Sequence, residues 1–304
     1  MPSLDLPPWL LSVILAAFGL VLGSFANVLI HRLPQEAPED RNVATKPSHC
    51  PQCKAPIRWY HNIPVLAWLW LRGKCAACGC PIPLRYPLVE LLVGLLFAAS
   101  PWIFPFGTLI WLKGLICGYA LIVLFFTDLT EFMLPDALQF PLMGLGVLFT
   151  LPQLAWPGHA TRIWLTGNSI LSVETFYNGL QAAPGWSLFG QSVDWRASLI
   201  GLVAGYGGPA LLNQIYKWIR KTDGLGMGDF KMLAWLGAFW GWGPMVAILF
   251  GGALLGSLVG LPLILLRRAH AQTMLPFGCA MALATPVIVF YGPALWMAYL
   301  GLVR

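Results

Sequence analysis

Charge is what this 304-residue chain has least of. Asp, Glu, Lys and Arg together make up 10% of it, against about a quarter in ordinary soluble domains. Such a chain has too few polar side chains to cover a water-facing surface, so a soluble globular domain is excluded. The formal net charge of +6 is small and patchily placed, which argues against a nucleic-acid partner and instead carries topological information. Nor is there a basic residue ahead of the first apolar run, Trp9 to Ile30; the basic residues follow it. That is the wrong polarity for a cleaved leader, and the run is expected to be a retained first span. A glycine-rich nucleotide loop between a strand and a helix is also lacking, so no soluble Rossmann-type site is indicated. No clear internal repeat of the transporter type is visible.

What the chain has in abundance is apolar residues, 58% of the total, with a mean hydropathy of +0.72 and fifteen tryptophans. Lipid must serve as solvent for much of it. Eight candidate spans are read at 9–30, 87–105, 107–126, 134–155, 197–216, 230–242, 244–266 and 275–300, each judged against the ~20 residues a helix needs to cross a bilayer. The expected fold class is an all-α polytopic membrane protein with a small polar module. The expected division is a first transmembrane helix (1–30), the module (31–86) and a larger helical domain (87–304).

The polar connections are unequal. Residues 31–86 form the only sizeable basic one, with Arg32, Arg41, Lys46, Lys54, Arg58, Arg72, Lys74 and Arg85 against Glu36, Glu39 and Asp40. Lys217, Arg220 and Lys221 follow the fifth span, and Arg267 and Arg268 the seventh. Excess Lys and Arg mark cytoplasmic loops. This places 31–86, 127–133, 217–229 and 267–274 in the cytoplasm and both termini outside, which eight alternating spans satisfy. Asp128 then ends an inward-running span and Asp229 starts an outward-running one, so both carboxylates come to the cytoplasmic face.

Carboxylates at membrane depth are costly and mark function. Two sharing a site divide one proton between them. The ionised one can take a proton from water, and the protonated one can hydrogen-bond to a peptide carbonyl. That is peptide hydrolysis with no metal and no covalent intermediate. Gly224, Gly226 and Gly228 precede Asp229 in "GLGMGD"; they are expected to allow close backbone approach and unusual dihedrals. Lys231 is expected to anchor at the membrane surface or fix the local charge. Asp136, after Pro135, is expected to cap a helix. Glu90 lies inside the second span and needs a buried partner or a polar cleft.

"CPQC" (Cys50–Cys53) and "CAAC" (Cys75–Cys78) are two pairs of thiols in the basic connection. The spacing matches a structural four-thiolate Zn²⁺ site. A cytoplasmic setting works against permanent disulfides. A closed site of this kind supplies folding energy to a small module and offers no open position for hydrolysis. Cys80 is an extra thiol, and spacing favours Cys78 as the ligand. Cys117 and Cys279 read as small core residues.

These motifs, in order, resemble the bacterial prepilin peptidases: "GSFANVLIHRLP", the two cysteine pairs, "YPLVE", "TDLTEFMLPD", "GLGMGDFKMLA" and "LPFG". The resemblance covers nearly the whole chain. It departs before the first cysteine pair, where "TKPSH" replaces the family's frequent Ser-Arg-Ser, and after "LPFG", where Cys279 replaces proline. The resemblance implies that Asp128 and Asp229 are the catalytic pair of a GxGD-type membrane aspartic protease. It implies cleavage of a basic leader after glycine at the cytoplasmic face, on prepilins or secretion pseudopilins, with pilus or secretion machinery as possible partners. It further implies N-methylation of the new terminus with S-adenosylmethionine, for which "GSFANVLIHR" and Glu90 are the pocket candidates. The alternatives are a peptidase that does not methylate, a proton- or ion-coupled transporter with mid-membrane carboxylates, and an inactive zinc-stabilised scaffold.

Overall fold

A computed structural model describes residues 7–37, 40–43, 48–104, 106–151, 195–221, 224–265 and 276–303. Most of the connection expected at 156–196, the loop 267–274 and Glu39 lie outside these residues. The described chain is all-α. Its helices are α1 (Pro8–Arg32), α2 (Leu66–Trp70), α3 (Arg85–Ile103), α4 (Leu109–Glu131), α5 (Asp136–Leu148), α6 (Trp195–Arg220), α7 (Met227–Trp240), α8 (Trp242–Leu265) and α9 (Phe277–Val303), with a 3₁₀ turn at Trp59–Asn62. Only two isolated β-bridges occur among the described residues. The chain forms two compact units, Met1–Val123 and Leu124–Arg304, and the division falls within α4.

Each of the eight expected spans contains a helix, but the expected number of crossings is not matched. Among the described residues, four helical segments are long and apolar enough, by length and composition, to cross a membrane: Pro8–Arg32, Arg85–Ile103, Leu109–Glu131 and Trp242–Pro262. The shortfall has physical reasons. Helix α5 has 13 residues, too few for a bilayer of ~30 Å. Helix α6 is long, but glycines, Pro209, Asn213 and Gln214 dilute its hydropathy. Helix α7 has 14 residues and carries Asp229 and Lys231. The part of α9 whose side chains are described, up to Gly292, is a shorter apolar helix.

The first unit is built on an α1–α3 pair. With no hydrophobic drive between helices in lipid, close packing holds them. Gly19 lies against Phe97 and Val93, Gly23 against the backbone of Glu90, and Gly94 against Leu20. Asn27 Nδ2 donates to the Tyr86 carbonyl at 3.0 Å, fixing the end of α1 to the start of α3. Trp9, Val13, Phe18 and Val21 on α1 face outward.

The second unit is organised around α7, which touches α5, α6, α8 and α9. Phe230 and every residue from Met232 to Phe239 are buried. A helix apolar on every side belongs in a protein core, so α7 is shielded by its neighbours. Helix α6 approaches it backbone to backbone. A Cβ built on Gly201 would lie 2.2 Å from the Gly237 carbonyl oxygen, and one on Gly205 would lie 2.5 Å from that of Leu233. Ser198 Oγ donates to the Ala238 carbonyl at 2.8 Å across the same seam.

Candidate functional site

Asp128 occupies the last turn of α4. It is 6% exposed, while Leu129, Thr130 and Glu131 beyond it are open. The chain then turns sharply at Phe132, whose φ is 52°, and Phe132 N–H donates to the Asp128 carbonyl at 3.0 Å. The Asp128 side chain accepts a hydrogen bond from the backbone N–H of Cys279, at 2.9 Å to Oδ2. Cys279 lies in the first turn of α9, so the carboxylate satisfies one of the N–H groups that a helix start leaves unpaired. Cys279 Sγ contacts the Phe125 carbonyl at 3.1 Å, a second clasp between α9 and α4.

Asp229 is the third residue of α7. Gly226 precedes the helix in an extended conformation, φ −72° and ψ 147°. Gly226 N–H donates to Asp229 Oδ2 at 3.3 Å, and Asp229 N–H donates back to the Gly226 carbonyl at 3.1 Å. This is the carboxylate half of a capping box. The glycine loop is held from behind by Asn213 of α6, whose Oδ1 accepts from Gly224 N–H (2.8 Å) and Leu225 N–H (3.1 Å).

The two aspartates are electrostatic neighbours, the charge of Asp128 acting on Asp229. Leu134 mediates their arrangement. A Cβ on Gly228, next to Asp229, would lie 3.0 Å from Leu134 Cβ. A Cβ on Gly278 would lie 3.1 Å from both Leu134 methyls and 2.9 Å from Asp128 Oδ2. One leucine thus fills the space between the two glycine positions that flank the carboxylates.

The glycines behave differently from expectation. None of Gly224, Gly226 and Gly228 has a positive φ. Close approach accounts for two of them: Gly224 meets the Tyr216 ring and Gly228 meets Leu134, each at 3.0 Å. Gly226 has only an ordinary contact with Asp229. Asp136 also departs from its expected role. Pro135 is the N-cap of α5 and Asp136 its first residue, and the Asp136 carboxylate pairs with Lys231 Nζ at 2.6 Å. Lys231 also lies over the Phe140 ring, at 5.2 Å. It therefore ties α7 to α5.

Glu90 is buried in the first unit. Its Oε2 accepts the Val65 N–H at 2.7 Å, and the Ser24 hydroxyl is a second partner. Val65 is held at φ 60°, a strained conformation for a β-branched residue.

The cysteine pairs form two matching turns. The bridges His49–Pro56 and Lys74–Pro81 each enclose one pair. Cys50 N–H donates to Ala55 O and Lys54 N–H to Cys50 O, at 3.0 and 2.9 Å. In the second turn Cys75 N–H donates to Cys80 O and Gly79 N–H to Cys75 O, at 2.8 and 2.9 Å. Lys54 and Gly79, at corresponding positions, both have positive φ. The ligand atoms of Cys50, Cys53, Cys75 and Cys78 all lie within 4.8 Å of one another, a set that could hold a metal ion. The Cys53 backbone N–H lowers the Cys50 thiol to about 6 and that of Cys78 lowers the Cys75 thiol, whereas desolvation and neighbouring thiols push Cys53 up to about 11 and raise Cys78. Cys80 replaces the alanine of the first turn and brings its Sγ to 3.5 Å from that of Cys50.

Sequence reasoning passes over Leu134, Gly278, Asn213 and the N–H of Cys279. Only "LPFG" hints at Gly278, by standing as a motif.

Comparison with known proteins adds a consistent set of likenesses. Residues 17–104 match the bacterial peptidase A24 N-terminal domain, and residues 115–261 match the type IV leader peptidase family. A prepilin leader peptidase/N-methyltransferase of Aeromonas hydrophila is 35% identical over 96% of this chain and 95% of its own length. Proteins of the same description from Neisseria gonorrhoeae and Pseudomonas aeruginosa are 32% and 31% identical, each over 93% of this chain and 91% of theirs. No solved structure matches the chain.

Proposed function

The chain belongs to the type IV leader peptidase family, and from that premise we propose that it is a membrane aspartic endopeptidase whose catalytic pair is Asp128 and Asp229. The observation that carries this reading is the convergence of the two carboxylates. They stand at the end of one helix and the start of another, and Leu134 packs both against Gly228, beside Asp229, and against Gly278, which abuts the Asp128 carboxylate.

In this reading the pair holds one proton between its members and titrates as a unit. The ionised carboxylate takes a proton from a water molecule. That water attacks the scissile carbonyl carbon, while the protonated partner hydrogen-bonds to the carbonyl oxygen. Collapse of the tetrahedral species breaks the C–N bond, and a proton passes to the leaving amine. The Cys279 N–H orients Asp128, the Gly226 N–H orients Asp229, and Lys231 holds α7 through Asp136.

The substrates are prepilins or pseudopilins, cut after glycine between a basic leader and an apolar helix. The bond would lie at the cytoplasmic face of the inner membrane, with both termini outside. The working division is a first helix (1–30), a zinc module (31–86) and the peptidase domain (87–304). Zn²⁺ would be held by Cys50, Cys53, Cys75 and Cys78 as a closed structural centre, and proteolysis needs no metal. The relatives' description as N-methyltransferases supports a second step. S-adenosylmethionine would supply the methyl group for the new terminal amine, leaving S-adenosylhomocysteine and a proton. Glu90 is a candidate for that pocket, although its Oε2 is already engaged by Val65.

Processing of an authentic prepilin in liposomes tests the proposal. Mass spectrometry would read leader loss and a methyl increment for the parent, D128N and D229N. Cleavage by the parent and by neither folded variant is expected. A folded single variant that cleaves at the parental rate would overturn the shared pair. Cleavage without a methyl increment would leave a peptidase alone.

A further inference from the structure

Between its two cysteine turns the first unit carries an apolar surface that the peptidase reading does not use. Helix α2, "LAWLW", turns Ala67 inward and leaves Leu66, Leu69 and Trp70 exposed, at 63%, 58% and 74%. Nearby in sequence, Trp59 is 81% exposed. Five residues cannot hold a helix in isolation, so neighbouring contacts must fix this one.

Two hydrogen bonds set its depth. At one end, the N–H of Val65, immediately before α2, is bound by Glu90 at 2.7 Å. Glu90 is the sixth residue of α3, about 7 Å along the helix from Arg85. Helix α3 has 19 residues, about the thickness of the hydrocarbon layer, so Glu90 lies just inside one boundary of that layer. From the middle of α2, Trp68 Nε1 donates to the Ile82 carbonyl at 3.0 Å, three residues before α3 begins. Helix α2 is therefore held between the level of the first turns of a membrane-crossing helix and the level just outside it. At that depth an exposed leucine or tryptophan meets headgroups and acyl-chain ends, where tryptophan is favoured.

Charge fits the same neighbour. From Arg41 to Val89 the chain contains no acidic residue. Arg58, Arg72 and Lys74, which flank the apolar positions, are all exposed. An apolar face beside cations, at the edge of a bilayer, is the pattern of an interfacial segment on anionic lipid.

We propose that residues 57–74 form a monotopic membrane anchor. Leu66, Leu69 and Trp70 enter the acyl boundary, and Arg58, Arg72 and Lys74 lie against lipid phosphates. The anchor sets the height of both cysteine turns relative to the bilayer. It depends on α3 crossing the membrane and not on the identity of the catalytic pair.

The test uses the full chain in nanodiscs of phosphatidylcholine, with or without phosphatidylglycerol. Benzoylphenylalanine replaces Trp70 in one variant, Leu69 in a second, and the exposed Gln52 of the first cysteine turn in a third as control. Illumination is expected to give lipid adducts at positions 70 and 69, by mass spectrometry, at several times the yield at position 52. R58Q is expected to lower the gain in adduct from phosphatidylglycerol by a factor of about five, the weight of one cation near an anionic surface. On the unsubstituted protein, deuterium uptake at 66–71 is expected to be slower in nanodiscs than in detergent-free amphipol. Adducts to protein instead of lipid, equal yields at 70 and 52, or unchanged deuterium uptake would each overturn the anchor. Because adducts and exchange are read without substrate, a failed processing assay leaves this result intact, and the reverse also holds.

Discussion

Asp128 accepts its hydrogen bond from a residue 151 positions away, the backbone N–H of Cys279, at 2.9 Å. One proposed catalytic group is thus aimed by the start of the last helix, through an N–H that no side-chain substitution at position 279 removes unless it introduces proline. C279A is expected to process prepilin within a few-fold of the parent. It loses the Sγ contact to Phe125, whose net worth is about 1 kcal/mol. Initial rates on a synthetic prepilin segment would check this.

Gly278 is expected to be far less tolerant. A methyl group there would meet Asp128 Oδ2 at 2.9 Å and both Leu134 methyls at 3.1 Å. G278A must move either the carboxylate or the leucine, at a cost of about 1–3 kcal/mol for overpacking. Cleavage should fall well below that of C279A. The companion change L134A, combined with G278A, should recover part of it by making room.

D128N and D229N are each expected to lower cleavage by about 10²–10⁴, with helicity and membrane insertion unchanged. The double variant should be little worse than either single one, since groups acting as a unit do not contribute additively.

The Lys231–Asp136 pair predicts a smaller effect. Asp136 is 55% exposed, so the pair is solvent-screened and its loss should cost no more than about 1 kcal/mol. K231M is expected to reduce processing modestly. The swapped pair K231D/D136K should regain part of that loss, and high salt should shrink the difference between K231M and the parent.

Metal removal should act on one unit only. Purified protein is expected to hold one zinc ion per chain. A strong chelator, or C50S, should raise deuterium uptake across residues 48–82 and leave α7 protected, because the four thiols all belong to the first unit. E90Q offers a related comparison. It keeps an oxygen to accept the Val65 N–H, so unchanged methylation in E90Q would remove Glu90 from the cofactor pocket.

The sequence makes some of this legible and hides the rest for definable reasons. Asp128, Asp229 and Glu90 stand out because a carboxylate in an apolar run is rare and costly. The four cysteines stand out because ligand spacing is local, and both turns are closed by bonds within a few residues. Leu134, Gly278 and Cys279 stay hidden, since their meaning lies in contacts between distant stretches of chain. The role of the glycines before Asp229 is half legible: crowding by Tyr216 and Leu134 shows no local signature, whereas a left-handed turn, which is absent, is what glycine ordinarily suggests. The number of crossings is overread because hydrophobicity does not distinguish a residue facing lipid from one facing protein. Helix α7 is apolar because protein surrounds it.

That enclosure bears on how the molecule meets membranes of different thickness. A bilayer thinner or thicker than a helix tilts or strains the helices it touches. In the described residues, α1 and α8 present exposed apolar side chains such as Phe18, Val21, Phe250 and Leu254, so they take up hydrophobic mismatch directly. Helix α7 presents almost none, and its backbone is wedged against α6 at Gly237. Changes in lipid chain length therefore reach Asp229 only after passing through its neighbours, and the element that carries it is buffered against the bilayer.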